Sequence, residues 1–133
     1  FGGIMANEKC REVFSPGTHG TTFGGNPVAA AAACHVLDRM DDAFLAQVKE
    51  KGAYLRQAIK AMELPCLGKT RGLGMMIGID VVGEQTNSQL AAKLIESGLL
   101  ILTAGPGLRL LPPLTITQEE MDKGLAIMKA ALL

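Results

Sequence analysis

Gly17-Thr18-His19-Gly20-Thr21-Thr22-Phe23-Gly24-Gly25-Asn26-Pro27 runs almost directly into an alanine tract at residues 29–33. Asn26 is a favoured N-cap, and Pro27 suits a first helical position because its missing N–H would be unpaired there anyway. A helix over residues 27–40 is therefore expected, preceded by a loop of flexible backbone and short hydroxyls. Such a junction is either a plain turn or an anion site. In the second case free backbone N–H groups and the positive end of the helix dipole favour a phosphate or carboxylate, with Thr21 or Thr22 adding a hydroxyl donor.

Upstream, residues 1–6 read as a short buried strand whose glycines suggest close backbone approach. Asn7-Glu8-Lys9 suits the start of a short helix, which Ser15-Pro16-Gly17 ends. The opening Phe1-Gly2-Gly3-Ile4-Met5 already resembles a strand interior, so the expectation is the C-terminal portion of a longer protein. Downstream, Asp41-Asp42 caps a second helix reaching residue 62, with Phe44, Leu45, Val48, Leu55, Ile59 and Met62 largely on one face and Gly52 as a tolerated weak point. Residues 64–73 read as an irregular connection, and residues 74–81 as a central apolar strand. Thr86 and Gln89 have capping-box spacing for a helix ended by Gly98. Residues 99–103 and 108–111 read as further strands. Thr117 and Glu120 form a second capping box before Met121, Leu125, Met128 and Leu132 at helical spacing. The expected class is a small α/β layer structure.

The 133 residues, 48% hydrophobic and 20% charged with zero formal net charge, suit one folded domain and exclude a disordered chain. No basic stripe or stacking aromatic set points to nucleic acid, and no apolar run reaches membrane-spanning length. Cys10, Cys34 and Cys66 lack paired spacing and read as reduced thiols of a cytoplasmic protein, packing groups and not ligands. His19 and His35 have no partner at metal-ligand spacing, so no metal is expected.

Gly68-Lys69-Thr70 resembles the end of a phosphate-binding P-loop, but the required upstream glycine is Glu63. Gly72-Leu73-Gly74 fails the dinucleotide fingerprint because residue 77 is Ile. Arg109, in the apolar stretch Leu108-Arg109-Leu110-Leu111, either points to solvent from an edge strand or is aimed at a carboxylate, which arginine recognises in bidentate fashion. Arg71 has the same two readings, with bracing of a loop as the favoured one.

The stretch from Gly17 to Pro27 resembles the signature of class III (ornithine-type) pyridoxal-phosphate aminotransferases, most closely their acetylornithine branch. The resemblance continues through Arg71-Gly72-Leu73-Gly74-Met75-Met76-Ile77-Gly78 and Gly107-Leu108-Arg109-Leu110-Leu111-Pro112-Pro113-Leu114. It implies the type I aminotransferase fold, with residues 1–40 ending the large cofactor-binding domain, residues 41–63 a connecting helix, and residues 64–133 the small C-terminal domain. It further implies a homodimer in which Thr22 binds the phosphate of the neighbouring subunit's pyridoxal phosphate. Thr21 would contact the acylated ornithine, and Arg109 would grip the substrate α-carboxylate. The implied reaction moves an amino group from N-acetylornithine to 2-oxoglutarate in arginine biosynthesis. Succinylornithine, ornithine and 4-aminobutyrate enzymes share these motifs.

In this family the lysine that holds the cofactor covalently lies upstream of the position of Phe1. The lysines present read instead as solvated helix faces (Lys49, Lys51, Lys60, Lys93, Lys123, Lys129) or polar connections (Lys9, Lys69). The chain alone is therefore expected to be inactive and not to bind the cofactor. The rival expectation is a non-catalytic structural or oligomerisation module that self-associates through its former interface.

Overall fold

The computed structural model describes residues 2–133, which fall into two compact units, Phe1–Asp41 and Asp42–Leu133.

In the first unit a short 3-10 turn at Glu8–Cys10 is capped by Asn7, whose side chain accepts from the Lys9 amide. Helix α1 spans Pro27–Asp38, as Asn26 and Pro27 imply, and buries none of its residues. The strand expected over residues 1–6 does not form. Phe1 lies outside the described residues, and residues 2–6 are exposed and without regular structure. A lone extended stretch has no ladder partner, and its apolar content cannot supply one.

The second unit runs α2 (Asp42–Ala61), β1 (Leu67–Leu73), β2 (Met76–Val81), α3 (Asn87–Glu96), β3 (Leu102–Ala104), β4 (Gly107–Leu110) and α4 (Gln118–Leu132). The strands form one antiparallel sheet in the order β1-β2-β4-β3. This is the mixed helix-and-sheet class expected. Two strand readings need correction. Residues 64–73 are not wholly irregular, because Leu67–Leu73 is a strand; its sequence, LGKTRGL, shows no apolar alternation and is held by pairing with β2. Only Leu102–Ala104 of the third strand forms, and Leu99–Ile101 lead into it from the α3 stop at Gly98 (φ +91°).

The core lies on one face of the sheet. Ile77, Ile79 and Leu108 are fully or almost fully buried from the sheet side, against Leu55 and Ile59 of α2, Leu90 and Leu94 of α3, and Met121, Leu125, Met128 and Leu132 of α4. Each such side chain contributes roughly 1.5–3 kcal/mol by leaving water. The four α4 residues are the ones its helical spacing selects.

Gly52 proves to be a requirement where the sequence suggested only a weak point. It is buried in α2, and a Cβ there would stand 2.0 Å from the Gly74 carbonyl oxygen. That oxygen accepts from Arg56 Nη1 at 3.1 Å, so the β1–β2 turn is seated directly on the helix. Lys51 is likewise not a solvated helix-face residue. Its Nζ donates to the carbonyls of Leu114 (3.3 Å) and Ile116 (2.6 Å), fixing the segment that leads into α4.

Both capping boxes are closed in both directions. At α4 the Thr117 amide donates to Glu120 Oε2 at 2.8 Å, and the Glu120 amide donates to Thr117 Oγ1 at 3.2 Å. The bond from the Thr117 amide, reinforced by its hydroxyl, holds the Glu120 carboxyl below the usual range. A carboxyl with a folded pKa below its unfolded value stabilises fully above the unfolded pKa and loses that contribution as pH falls through the folded one. Glu120→Ala should therefore lower the urea midpoint at neutral pH, and the gap to wild type should close on acidification past the folded pKa.

Candidate functional site

The loop of the first unit consists of successive turns. The Gly24 amide bonds the Thr21 carbonyl (3.2 Å), and the Asn26 amide bonds that of Phe23 (3.3 Å). Gly25 has φ +69°, a left-handed conformation open to glycine at no steric cost. These turns present Thr21 and Thr22 to solvent, and neither hydroxyl is hydrogen-bonded among the described residues. One part of the anion reading changes. The Asn26 side chain accepts from both Val28 N and Ala29 N at 3.0 Å, so the first amides of α1 are already occupied. An anion at this loop would depend on the threonine hydroxyls more than on the helix start. Thr18, by contrast, is engaged locally, donating to the Ser15 carbonyl at 2.7 Å.

In the second unit the sheet face turned away from the core carries the chemistry. Arg71, Gly78, Arg109 and Leu102 lie in one row across β1, β2, β4 and β3. The edge-strand reading of Arg109 fails, because β4 is flanked by β2 and β3. Its Nε is buried and has no hydrogen-bond partner. A guanidinium N–H removed from water and left unpaired is costly, so a folded chain keeps one chiefly where something else completes it. Asn87, at the start of α3, steadies the strand by donating to the carbonyls of Gly105 (2.9 Å) and Gly107 (3.2 Å). A cavity of about 290 Å³ opens on this face, lined by Arg71, Gly72, Met76, Gly78, Ala104, Leu108 and Arg109.

Arg71 lies on a strand and is ion-paired with Asp80, so its bracing acts across a hairpin and not along a loop. Both partners are partly exposed, and such a pair contributes on the order of 0–1 kcal/mol. Sequence reasoning does not single out Asp80. The available signal is a lone carboxylate in the apolar run Met76-Ile77-Gly78-Ile79-Asp80-Val81.

A larger cavity, about 860 Å³, lies among α3, α4 and residues 110–116, and its one titratable lining residue is Glu120, already bonded to Thr117. It offers hydrocarbon and little chemistry. Among the described residues no cluster of His, Cys, Asp or Glu could hold a metal, and no helix is long and apolar enough to cross a membrane. All three cysteines are free. Cys66 packs against the core, while Cys10 and Cys34 are exposed and not the packing groups expected. Lys9, Lys49, Lys60, Lys69, Lys93, Lys123 and Lys129 are exposed.

The chain is similar to known proteins over almost its whole length. The family model for aminotransferase class III matches residues 1–132. An acetylornithine aminotransferase of Lactococcus lactis is 42% identical over 98% of the chain, which spans 36% of that relative. The crystal structure of acetylornithine aminotransferase from Elizabethkingia anophelis superposes with a TM-score of 0.77 at 32% identity, over 96% of this chain and 35% of that one. An ornithine aminotransferase of Toxoplasma gondii, solved with PLP at partial occupancy in its active site, gives a TM-score of 0.75 at 34% identity, covering 90% of this chain and 30% of its own. The chain thus spans about a third of the length of the relatives it matches.

Proposed function

The chain belongs to the aminotransferase class III family, and from that premise we propose that it works as part of an acetylornithine-type enzyme passing an amino group from N-acetylornithine to 2-oxoglutarate in arginine biosynthesis. The observation that carries this reading is the buried, unpartnered Nε of Arg109 beside a cavity on the open face of the sheet. A fixed guanidinium of this kind matches the carboxylate shared by both substrates.

Pyridoxal phosphate, when bound, supplies the electron sink for moving the amino group. The residues here fit its phosphate end only. The exposed hydroxyls of Thr21 and Thr22 can donate to an anion, and Thr22 is the proposed phosphate ligand toward a neighbouring subunit, with Thr21 facing the acylated substrate. Arg109 holds the substrate α-carboxylate, which in 2-oxoglutarate stands next to the keto carbon that receives the amino group, and so orients that carbon. No described lysine suits covalent attachment of the cofactor. Lys51 is committed to two carbonyls, and the others sit on exposed surfaces. The chain alone is accordingly proposed to be inactive and not to hold the cofactor, and the intact enzyme to be a cytoplasmic homodimer.

Helix α1, whose Val28 and Leu37 are well exposed, supports self-association of this segment as a second role.

The carboxylate reading is tested by binding. Glutarate, a dicarboxylate that cannot react, should bind the intact holoenzyme in a calorimeter and lose measurable affinity on Arg109→Ala. Unchanged binding would contradict the assignment.

A further inference from the structure

We propose that Arg71 is a positioning residue that keeps Arg109 available, by holding a carboxylate on this sheet face that could otherwise pair with it. The inference rests on the reading of Arg109 as the grip for the substrate carboxylate. Asp80 lies two residues beyond Gly78 on β2, on the same face as the Arg71–Gly78–Arg109 row. It is therefore a diagonal neighbour of both arginines, at a spacing of roughly 7–8 Å that a long side chain spans.

The two positions flanking the Asp80–Arg109 diagonal are both glycines. Gly78 is the residue paired with Arg109, and the β4 residue beside Asp80 is Gly107, where a Cβ would stand 3.6 Å from the Asp80 Cα. An arginine with a buried, unpaired Nε next to an uncommitted carboxylate would form an intramolecular pair. Such a pair would block substrate. In the structure Asp80 is instead bound by Arg71 Nη1. The Arg71 side chain reaches Asp80 by lying over Gly78, where a Cβ would meet its Cγ at 3.4 Å and its Nε at 3.6 Å. Arg71 thus satisfies the Asp80 charge from the β1 side and leaves the β4 side open.

The test is a mutant cycle in the intact holoenzyme, reading the glutarate dissociation constant by calorimetry, with KM for 2-oxoglutarate and kcat alongside. Arg71→Gln should weaken glutarate and raise KM by about tenfold, with kcat changed far less, because a local carboxylate now competes for Arg109. Adding Asp80→Asn to that variant should restore both values, since the competitor is gone. Asp80→Asn alone should bind glutarate at least as well as wild type. Arg71→Lys, which keeps a cation for Asp80, should also bind normally, and it guards against a folding defect in the glutamine variant. Unchanged binding in Arg71→Gln, or a double variant as weak as Arg71→Gln, would overturn the inference while leaving Arg109 as the grip. Glutarate binding that survives Arg109→Ala would overturn the grip itself, and this inference with it.

Discussion

Arg109→Ala in the intact enzyme should lower kcat/KM for 2-oxoglutarate by roughly 10²–10³, or about 3–4 kcal/mol, while leaving the melting temperature unchanged or slightly higher. The two halves of that result come from one observation. Arg109 Nε is buried without a partner, so removing the side chain relieves an unpaired polar group and costs the fold little. The same removal takes away the bidentate, charge-assisted contact that only a substrate carboxylate completes. A residue kept for stability would show the opposite pattern, with a large loss of melting temperature and a small loss of rate. Arg109→Lys should recover part of the rate, because it restores the charge without the planar fork. Steady-state kinetics and thermal denaturation on the same three proteins decide the matter.

Gly52→Ala should destabilise the fold by about 2–4 kcal/mol, even though alanine is the better helix former by about 1 kcal/mol. The added Cβ would stand 2.0 Å from the Gly74 carbonyl oxygen, and that carbonyl cannot retreat without losing its bond from Arg56. Backbone, not a flexible side-chain end, has to move. Gly124→Ala in α4 is the internal control: its Cβ would meet only Leu99 Cδ1, at 3.5 Å, an ordinary contact. That change should stabilise by about 0.5–1 kcal/mol. Urea titrations of the two variants should therefore move in opposite directions.

The two glycines show where sequence reading stops. Both look like weak points in a helix, and nothing local distinguishes them. What separates them is the β1–β2 turn, which tertiary packing brings onto one and not the other. Features written in a few consecutive residues are legible: Asn26-Pro27 starts α1, and Thr86/Gln89 and Thr117/Glu120 close their capping boxes. The apolar spacing of α4 selects its buried residues for the same reason. β1 is hidden because its strand character comes from pairing with β2 and not from its own composition. Lys51 passes for a surface residue because its carbonyl partners are more than sixty residues away. At the site, Arg109 stands out as a cation in an apolar run, yet its interior position depends on a strand order that no local pattern encodes. The Arg71–Asp80 pair crosses a hairpin and is invisible for the same reason. Asn26 makes the α1 start readable, but its capture of two amides, which shifts the anion role toward Thr21 and Thr22, is a matter of side-chain geometry.

The most direct test of the whole account is a crystal structure of the intact enzyme with pyridoxal phosphate and glutarate bound. The expected result is Thr22 Oγ1 within hydrogen-bond distance of the cofactor phosphate and a glutarate carboxylate on the Arg109 guanidinium, with Arg71 still on Asp80. Glutarate held elsewhere while Arg109 pairs with a protein carboxylate, or a phosphate held without Thr22, would contradict it.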